Sequence, residues 1–310
     1  MKSQLVGRDL LTLMDFSKEE VEYFLQTATE LKRSQRMGMP HEYLKGKTLA
    51  LIFEKQSTRT RISFQVAVAH LGAQSFYMRP DELQLARGEP IKDTARVIDR
   101  YCDGLFIRIG SHETIEEFAQ YMENPVINAC SNLTHPCQAL ADLLTIREKK
   151  GAFKGLKLAY TGDIFNVCYS LMVAGPMMGM DVYVAGPQGY EPNECILKFA
   201  REKAKETGSK LVVTSDLNEA VTDADIIYAD TWYSMGKTDI EKRLKDFAPF
   251  QVNENVLAKA KDDVIFMHCL PGYRGKEMVD EVIEGPHSVV WDEAENRVHT
   301  EKAVLALLVR

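Results

Sequence analysis

Short apolar runs of strand length recur along this chain, and between most of them lie segments whose apolar residues return at helical spacing. The runs at 48–53, 75–78, 105–109 and 125–129 precede Lys149-Lys150-Gly151, and those at 156–161, 181–185, 210–214, 225–229, 264–267 and 288–291 follow it. Strands alternating with helices imply parallel sheets joined by right-handed crossovers. The expected fold is therefore α/β, with two doubly wound parallel-sheet domains and an active site in the cleft between them. Residues 1–149 would form the first domain, with a terminal helix at about 293–310 packing back on it, and 150–292 the second.

Sheets of this kind bind ligands beyond the carboxyl ends of their strands. The unusual residues follow that rule. Ser57 to Arg61, His135 with Gln138, Asp163 with Asn166, Asp230 through Gly236 and His268 through Pro271 each stand just after a predicted strand, and Arg108 stands near the end of one. The first group is the most informative. Thr48-Leu49-Ala50-Leu51-Ile52-Phe53 reads as a buried strand, Ile62 to Leu71 as a helix stopped by Gly72, and between them come three hydroxyls and two guanidinium groups. Such a junction sets donors, positive charge and free helix-end amides at one point, which suits a phosphate. The plainer reading is that Ser57 only caps the helix. Arginines in a first turn oppose the helix dipole unless an anion lies beside them, which favours the phosphate.

Other positions stay open on the residues alone. Arg108 interrupts an apolar strand and must either sit at a sheet edge or meet an anion, because five buried donors need partners. The 230–236 segment is either an ordinary loop or a grip for an amino acid, whose ammonium and carboxylate suit a carboxylate, a hydroxyl and exposed backbone. His268-Cys269 suggests a nucleophile, but neighbours in extended chain point to opposite faces, so covalent catalysis is the weaker reading. Ser17-Lys18-Glu19-Glu20 is a capping box that opens a structural helix to about Lys32.

Composition narrows the class. With 38 basic and 45 acidic residues the formal charge is −7, so nucleic acid is not expected as a partner and any anion site is a local basic pocket. No apolar run approaches the ~20 residues of a membrane span, and the amino terminus has no signal-peptide core. The six cysteines show neither C-x-x-C nor zinc spacing, which fits free thiols in a reducing compartment, and a cytoplasmic location is expected. Gly162-Asp163-Ile164-Phe165-Asn166 lacks the dinucleotide glycine fingerprint, which disfavours a nicotinamide dehydrogenase.

Taken in order, Ser57-Thr58-Arg59-Thr60-Arg61, Asp93-Thr94-Ala95-Arg96-Val97, His135-Pro136-Cys137-Gln138, Asp230-x-Trp232-x-Ser234-Met235-Gly236, His268-Cys269-Leu270-Pro271 and Ala294-Glu295-Asn296-Arg297 resemble the aspartate and ornithine carbamoyltransferase family. The Ser234-Met235-Gly236 loop favours the ornithine branch. The resemblance implies transfer of the carbamoyl group of carbamoyl phosphate to the side-chain amine of L-ornithine, giving L-citrulline and phosphate without metal or cofactor. It implies that the first domain binds carbamoyl phosphate, through Ser57, Thr58, Arg59, Thr60, Arg108, His135, Gln138 and Arg297, with Cys269 and Leu270 of the second domain also touching it and lining the position of the ornithine side-chain amine. Gln84 would be lent by a neighbouring subunit of a homotrimer or a higher assembly of trimers. Asn166, Asp230, Ser234 and Met235 would bind ornithine in the second domain, and Arg108, His135, Cys269 and Asp230 would be the catalytic groups. Phe165, Asn132, Thr134 and Gly272 depart from the family's common residues, and Phe165 bears on the acceptor. The alternatives are another amine acceptor, such as putrescine or a modified ornithine, or a relative that binds a phosphate ligand without turning it over.

Overall fold

The computed structural model describes residues 2–234 and 236–309. The chain divides into two compact units, Met1–Leu144 with Glu295–Arg310, and Thr145–Ala294.

Unit 1 is built on a four-stranded sheet of β1 (Thr48–Phe53), β2 (Gln74–Met78), β3 (Gly104–Arg108) and β4 (Val126–Cys130), in the order β2-β1-β3-β4. Every pairing is parallel. Leu49 to Phe53 are all buried, so the unbroken apolar run reflects burial on both faces rather than half-exposure. The register sets Phe53 opposite Arg108, which brings the carboxyl ends of β1 and β3 level. Between Ile107 and Arg108 the β3–β4 ladder shifts, so Arg108 pairs with Cys130 at the strand end. β3 is an interior strand, which removes the sheet-edge explanation for Arg108.

Helices follow the strands as the periodicity predicts. Ser17 accepts from Glu20 N and the Glu20 carboxylate accepts from Ser17 N, which closes the capping box of a helix at Lys18–Arg36. The helix Thr58–His70 follows β1. Gly72, at φ +78, ends that segment in a left-handed conformation that a side chain would strain. The terminal helix spans Val290–Leu308, and its Ala303, Val304, Leu305 and Leu308 are wholly buried.

Unit 2 holds five parallel strands, β5 (Lys157–Thr161), β6 (Asp181–Ala185), β7 (Leu211–Thr214), β8 (Ile226–Ala229) and β9 (Ile265–His268), in the order β7-β6-β5-β8-β9. The expected strand at 288–291 does not form. Ser288 makes only an isolated bridge to Phe266, and Val290 and Trp291 already belong to the terminal helix. A short apolar run carries no period of its own, and the helix that follows captured this one. In both units the order of connection reverses beside the first strand, between β1 and β3 and between β5 and β8. Those switch points leave a crevice at the strand ends where ligands are accommodated.

Candidate active site

The switch point of unit 1 gathers most of the residues expected to hold the phosphate. Ser57 ends the loop after β1 with φ −151, and its hydroxyl accepts from Thr60 N at 3.3 Å. Cap and anion site are therefore compatible readings, because the capping bond uses only one of the amides at this helix start. Thr58 is exposed, Ser57 and Arg59 are half-buried, and Thr60 is buried. A cavity of about 570 Å³ opens here, lined in part by Ser57, Thr58, Arg61, Tyr77 and Arg79. Arg61 is held on the cavity wall by an aromatic ring. Its guanidinium lies 3.7 Å above the Tyr77 ring.

A chain of buried polar groups backs the helix start. Arg297 donates to Gln138 Oε1 at 2.7 Å and to Thr60 Oγ1 at 3.4 Å, and Gln138 Nε2 donates to Asp142 Oδ1 at 2.8 Å. Arg297 is in turn held by Glu301, whose Oε1 accepts from Nε at 3.1 Å and from Nη2 at 2.8 Å. Burial raises the Glu301 carboxyl to about 7, against the opposing pull of Arg297. His135, 6% exposed, caps the approach to the helix Pro136–Lys150. Burial holds its imidazole neutral, and the charges of Arg297, Arg108 and Arg59 push in the same direction. Three arginines are thus felt by one neutral imidazole, an arrangement that donates hydrogen bonds to an uncharged carbonyl and draws an anion close by. Arg108 Nε is buried with no hydrogen-bond partner among the described residues, as expected of a donor reserved for a ligand. Gln84 is exposed, at the start of a 3-10 turn at Gln84–Arg87.

The switch point of unit 2 carries a different chemistry. Asp230 follows β8 and is 4% exposed. Its Oδ1 accepts from Thr231 N at 2.7 Å and Cys269 Sγ at 3.2 Å, and its Oδ2 lies 3.0 Å from the Tyr160 hydroxyl, which also reaches Asp163 O at 2.7 Å. Burial raises the Asp230 carboxyl to about 6. Gly162, at φ +143, lets the two loops cross closely, since a Cβ there would lie 2.6 Å from Asp230 O. Asp163 accepts from Ser234 N at 3.1 Å on one oxygen and from Arg243 Nη1 at 2.7 Å on the other, which fixes the 230–236 loop from below. Asn166 opens the helix Asn166–Met178 and is buried, and Phe165 before it lies under the Lys237 ammonium at 4.6 Å. Met235 lies outside the described residues.

Beyond β9, His268 Nδ1 accepts from Leu270 N at 2.8 Å, so its acceptor nitrogen is already used within the turn. The thiol of Cys269 donates to the Asp230 carboxylate at 3.2 Å, which ties this turn to the loop after β8. Leu270, at φ +58, precedes a cis bond to Pro271 and is half-buried. Unit 1 therefore unites Ser57, Thr58, Arg59, Thr60, Arg108, His135, Gln138 and Arg297 near one switch point, while Asn166, Asp230, Ser234, Cys269 and Leu270 belong to unit 2. Sequence reasoning missed Glu301, Tyr160 and the Asp163–Arg243 pair. Glu301 had a signal, because it stands four residues after Arg297, the spacing at which opposite charges meet on one helix face.

Residues 8–148 match the family described as "Aspartate/ornithine carbamoyltransferase, carbamoyl-P binding domain", and residues 154–308 its "Asp/Orn binding domain". The ornithine carbamoyltransferase of Pyrococcus horikoshii is 54% identical over 310 residues, covering 100% of this chain and 98% of that protein. The anabolic ornithine carbamoyltransferase of Pyrococcus furiosus is 53% identical over the same length, with the same coverage. A solved structure of ornithine carbamoyltransferase from Pyrococcus furiosus superposes with a TM-score of 0.96 at 53% identity, covering 98% of each chain.

Proposed function

The chain belongs to the aspartate/ornithine carbamoyltransferase family, and from that premise we propose how its two units divide one reaction. The reaction is transfer of the carbamoyl group of carbamoyl phosphate to the side-chain amine of L-ornithine, which yields L-citrulline and phosphate. Identity above one half to ornithine carbamoyltransferases over the whole chain supports ornithine as the acceptor.

Unit 1 takes carbamoyl phosphate. The phosphate sits at the start of the helix Thr58–His70, held by Ser57, Thr58, Arg59 and Thr60, and Arg108, His135, Gln138 and Arg297 grip the carbamoyl end. The observation that carries this reading is the convergence of Arg59, Arg108 and Arg297 on the buried neutral His135. Negative charge grows on the carbamoyl oxygen as the amine attacks and passes to the departing phosphate, and fixed donors aimed at both atoms lower the barrier. Loss of one such donor typically costs ~10²-fold or more in rate. Unit 2 takes ornithine, with Asn166, Asp230, Ser234 and Met235 on its backbone end and Cys269 and Leu270 along the side-chain amine. A free amine of this kind has a pKa of ~10.4, so attack requires loss of a proton, which desolvation assists.

The same reading makes the enzyme a cytoplasmic homotrimer in which Gln84 of one copy completes the next copy's site. Its exposure supports this, as do the exposed apolar Ile62, Phe76, Val97 and Tyr101 of unit 1 and six cysteines outside any disulfide. The word "anabolic" in the name of the Pyrococcus furiosus relative supports a place in arginine synthesis. Among the described residues no helix is long and apolar enough to cross a membrane.

Arg59→Ala tests the phosphate assignment. The variant is expected to stay folded by circular dichroism while phosphate release on mixing both substrates falls at least ~10²-fold. Turnover equal to the parent protein would refute the assignment.

A further inference from the structure

One buried carboxyl of unit 2 is left out of the chemistry above. Glu277 is 1% exposed and lies between the two loops assigned to ornithine. Its Oε2 accepts from Tyr273 N at 2.7 Å, in the turn that follows His268-Cys269-Leu270-Pro271. The same carboxyl faces the Thr231 hydroxyl and the charge of Asp230, and its Oε1 is buried with no hydrogen-bond partner among the described residues. The segment that carries it is fixed on its other side, since Glu277 O accepts from Val252 N at 2.9 Å and Gln251 Nε2 donates to Gly275 O and Lys276 O, each at 2.9 Å.

We propose that Glu277 is a positioning residue for the amine acceptor: it anchors the 270–274 turn through Tyr273 N and adds a second buried carboxylate near Asp230, so that the site favours an amino acid whose side chain carries an ammonium group. This rests on the reading of unit 2 as the ornithine site. A glutamine would serve Tyr273 N equally well, so the tie alone does not call for an acid in a dry site, where burying charge is unfavourable. The charge is what remains to be explained, and a cationic ligand explains it. The titratable groups about Glu277 are Asp230 at the end of β8, and Tyr273 and Lys276 on its own turn, with Tyr233 stacked on Tyr273 from the facing loop. Burial raises the Glu277 carboxyl to about 7, so its charge is present above that pH and lost below it.

Two variants of the full chain test this: Glu277→Gln and Glu277→Ala. The readouts are KM and kcat for ornithine between pH 6 and pH 9, with carbamoyl phosphate affinity by calorimetry as the control on unit 1. Glu277→Gln is expected to raise the KM for ornithine about tenfold at pH 8 with kcat and carbamoyl phosphate affinity nearly unchanged, the signature of lost binding shared by ground and transition states. The ratio of variant to parent KM should fall toward one as pH drops through about 7, because the parent carboxyl then becomes neutral as well. Ornithine titrates identically in both proteins, so the ratio isolates Glu277. Glu277→Ala should be worse; if it does not fold, Glu277→Gln carries the test. An unchanged KM in Glu277→Gln at pH 8, a rise independent of pH, or an equal loss of carbamoyl phosphate affinity would overturn the proposal. Absence of citrulline formation by the parent protein would instead overturn the reading on which it rests.

Discussion

Asp230 shows how a single side chain trades stability for ligand capture. Its carboxyl, raised to about 6 by burial, binds a proton more tightly in the folded protein than in the unfolded chain, where it titrates near 3.8. The stability it contributes is therefore full below 3.8 and lost as pH rises through about 6, while the charge that would hold the ornithine ammonium exists only above 6. KM for ornithine should accordingly climb as pH falls below about 6, approaching tenfold per unit for one essential charge. Asp230→Asn should abolish that limb and weaken ornithine binding above pH about 6, where the parent carboxyl is charged, yet raise the melting temperature at neutral pH by about 2–4 °C. The new amide can donate to Tyr160 Oη, whose own proton reaches Asp163 O, so no polar group is stranded. Kinetic pH profiles and a thermal melt check both halves, and a variant that melts lower while keeping the parent KM would contradict this account. The acidic residue itself was legible from its place after a strand. Its partner Tyr160 was not, because a tyrosine inside an apolar strand looks like packing until the fold shows where its hydroxyl points.

The terminal helix makes the same point for an element. Its sequence from Ala303 onward announces a packed helix, but its functional content lies in a buried ion pair one turn long, Arg297 with Glu301, 3% and 0% exposed at the side chains. Removing one member leaves the other charge stranded, so Glu301→Ala should destabilise the protein by about 3–5 kcal/mol, read from chemical denaturation. Replacing both by methionine should restore most of that stability, since apolar pairs of similar volume commonly equal buried ion pairs. Turnover should stay lost, because the double variant removes the guanidinium that donates to Gln138 and Thr60. A double variant that regains turnover would show that the pair is structural only. The start of this element is also where periodicity failed. Val289-Val290-Trp291 has the composition of a strand, and only the helix that continues from it decides otherwise. By contrast, the helices at Lys18–Arg36 and Thr58–His70 were legible to within a turn, because each has a hydroxyl cap as well as a period.

At the scale of the whole molecule, two doubly wound sheets each place their chemistry where the strand order reverses: cationic donors beside β1 and β3, carboxylates beside β5 and β8. Alternation of runs made both sheets readable, since a chain that repeats strand and helix has few other ways to bury its apolar faces. Strand order and register were not readable, because they are set by contacts between segments far apart in sequence, and it is the register Phe53 to Arg108 that brings the arginine level with the end of β1, ahead of the helix Thr58–His70. The division of labour between units is the claim on which everything else depends, and product stoichiometry tests it most directly. Purified protein mixed with carbamoyl phosphate and L-ornithine should release phosphate and form citrulline in equal amounts, with no phosphate released when ornithine is withheld. Phosphate without citrulline, or neither product, would contradict the account.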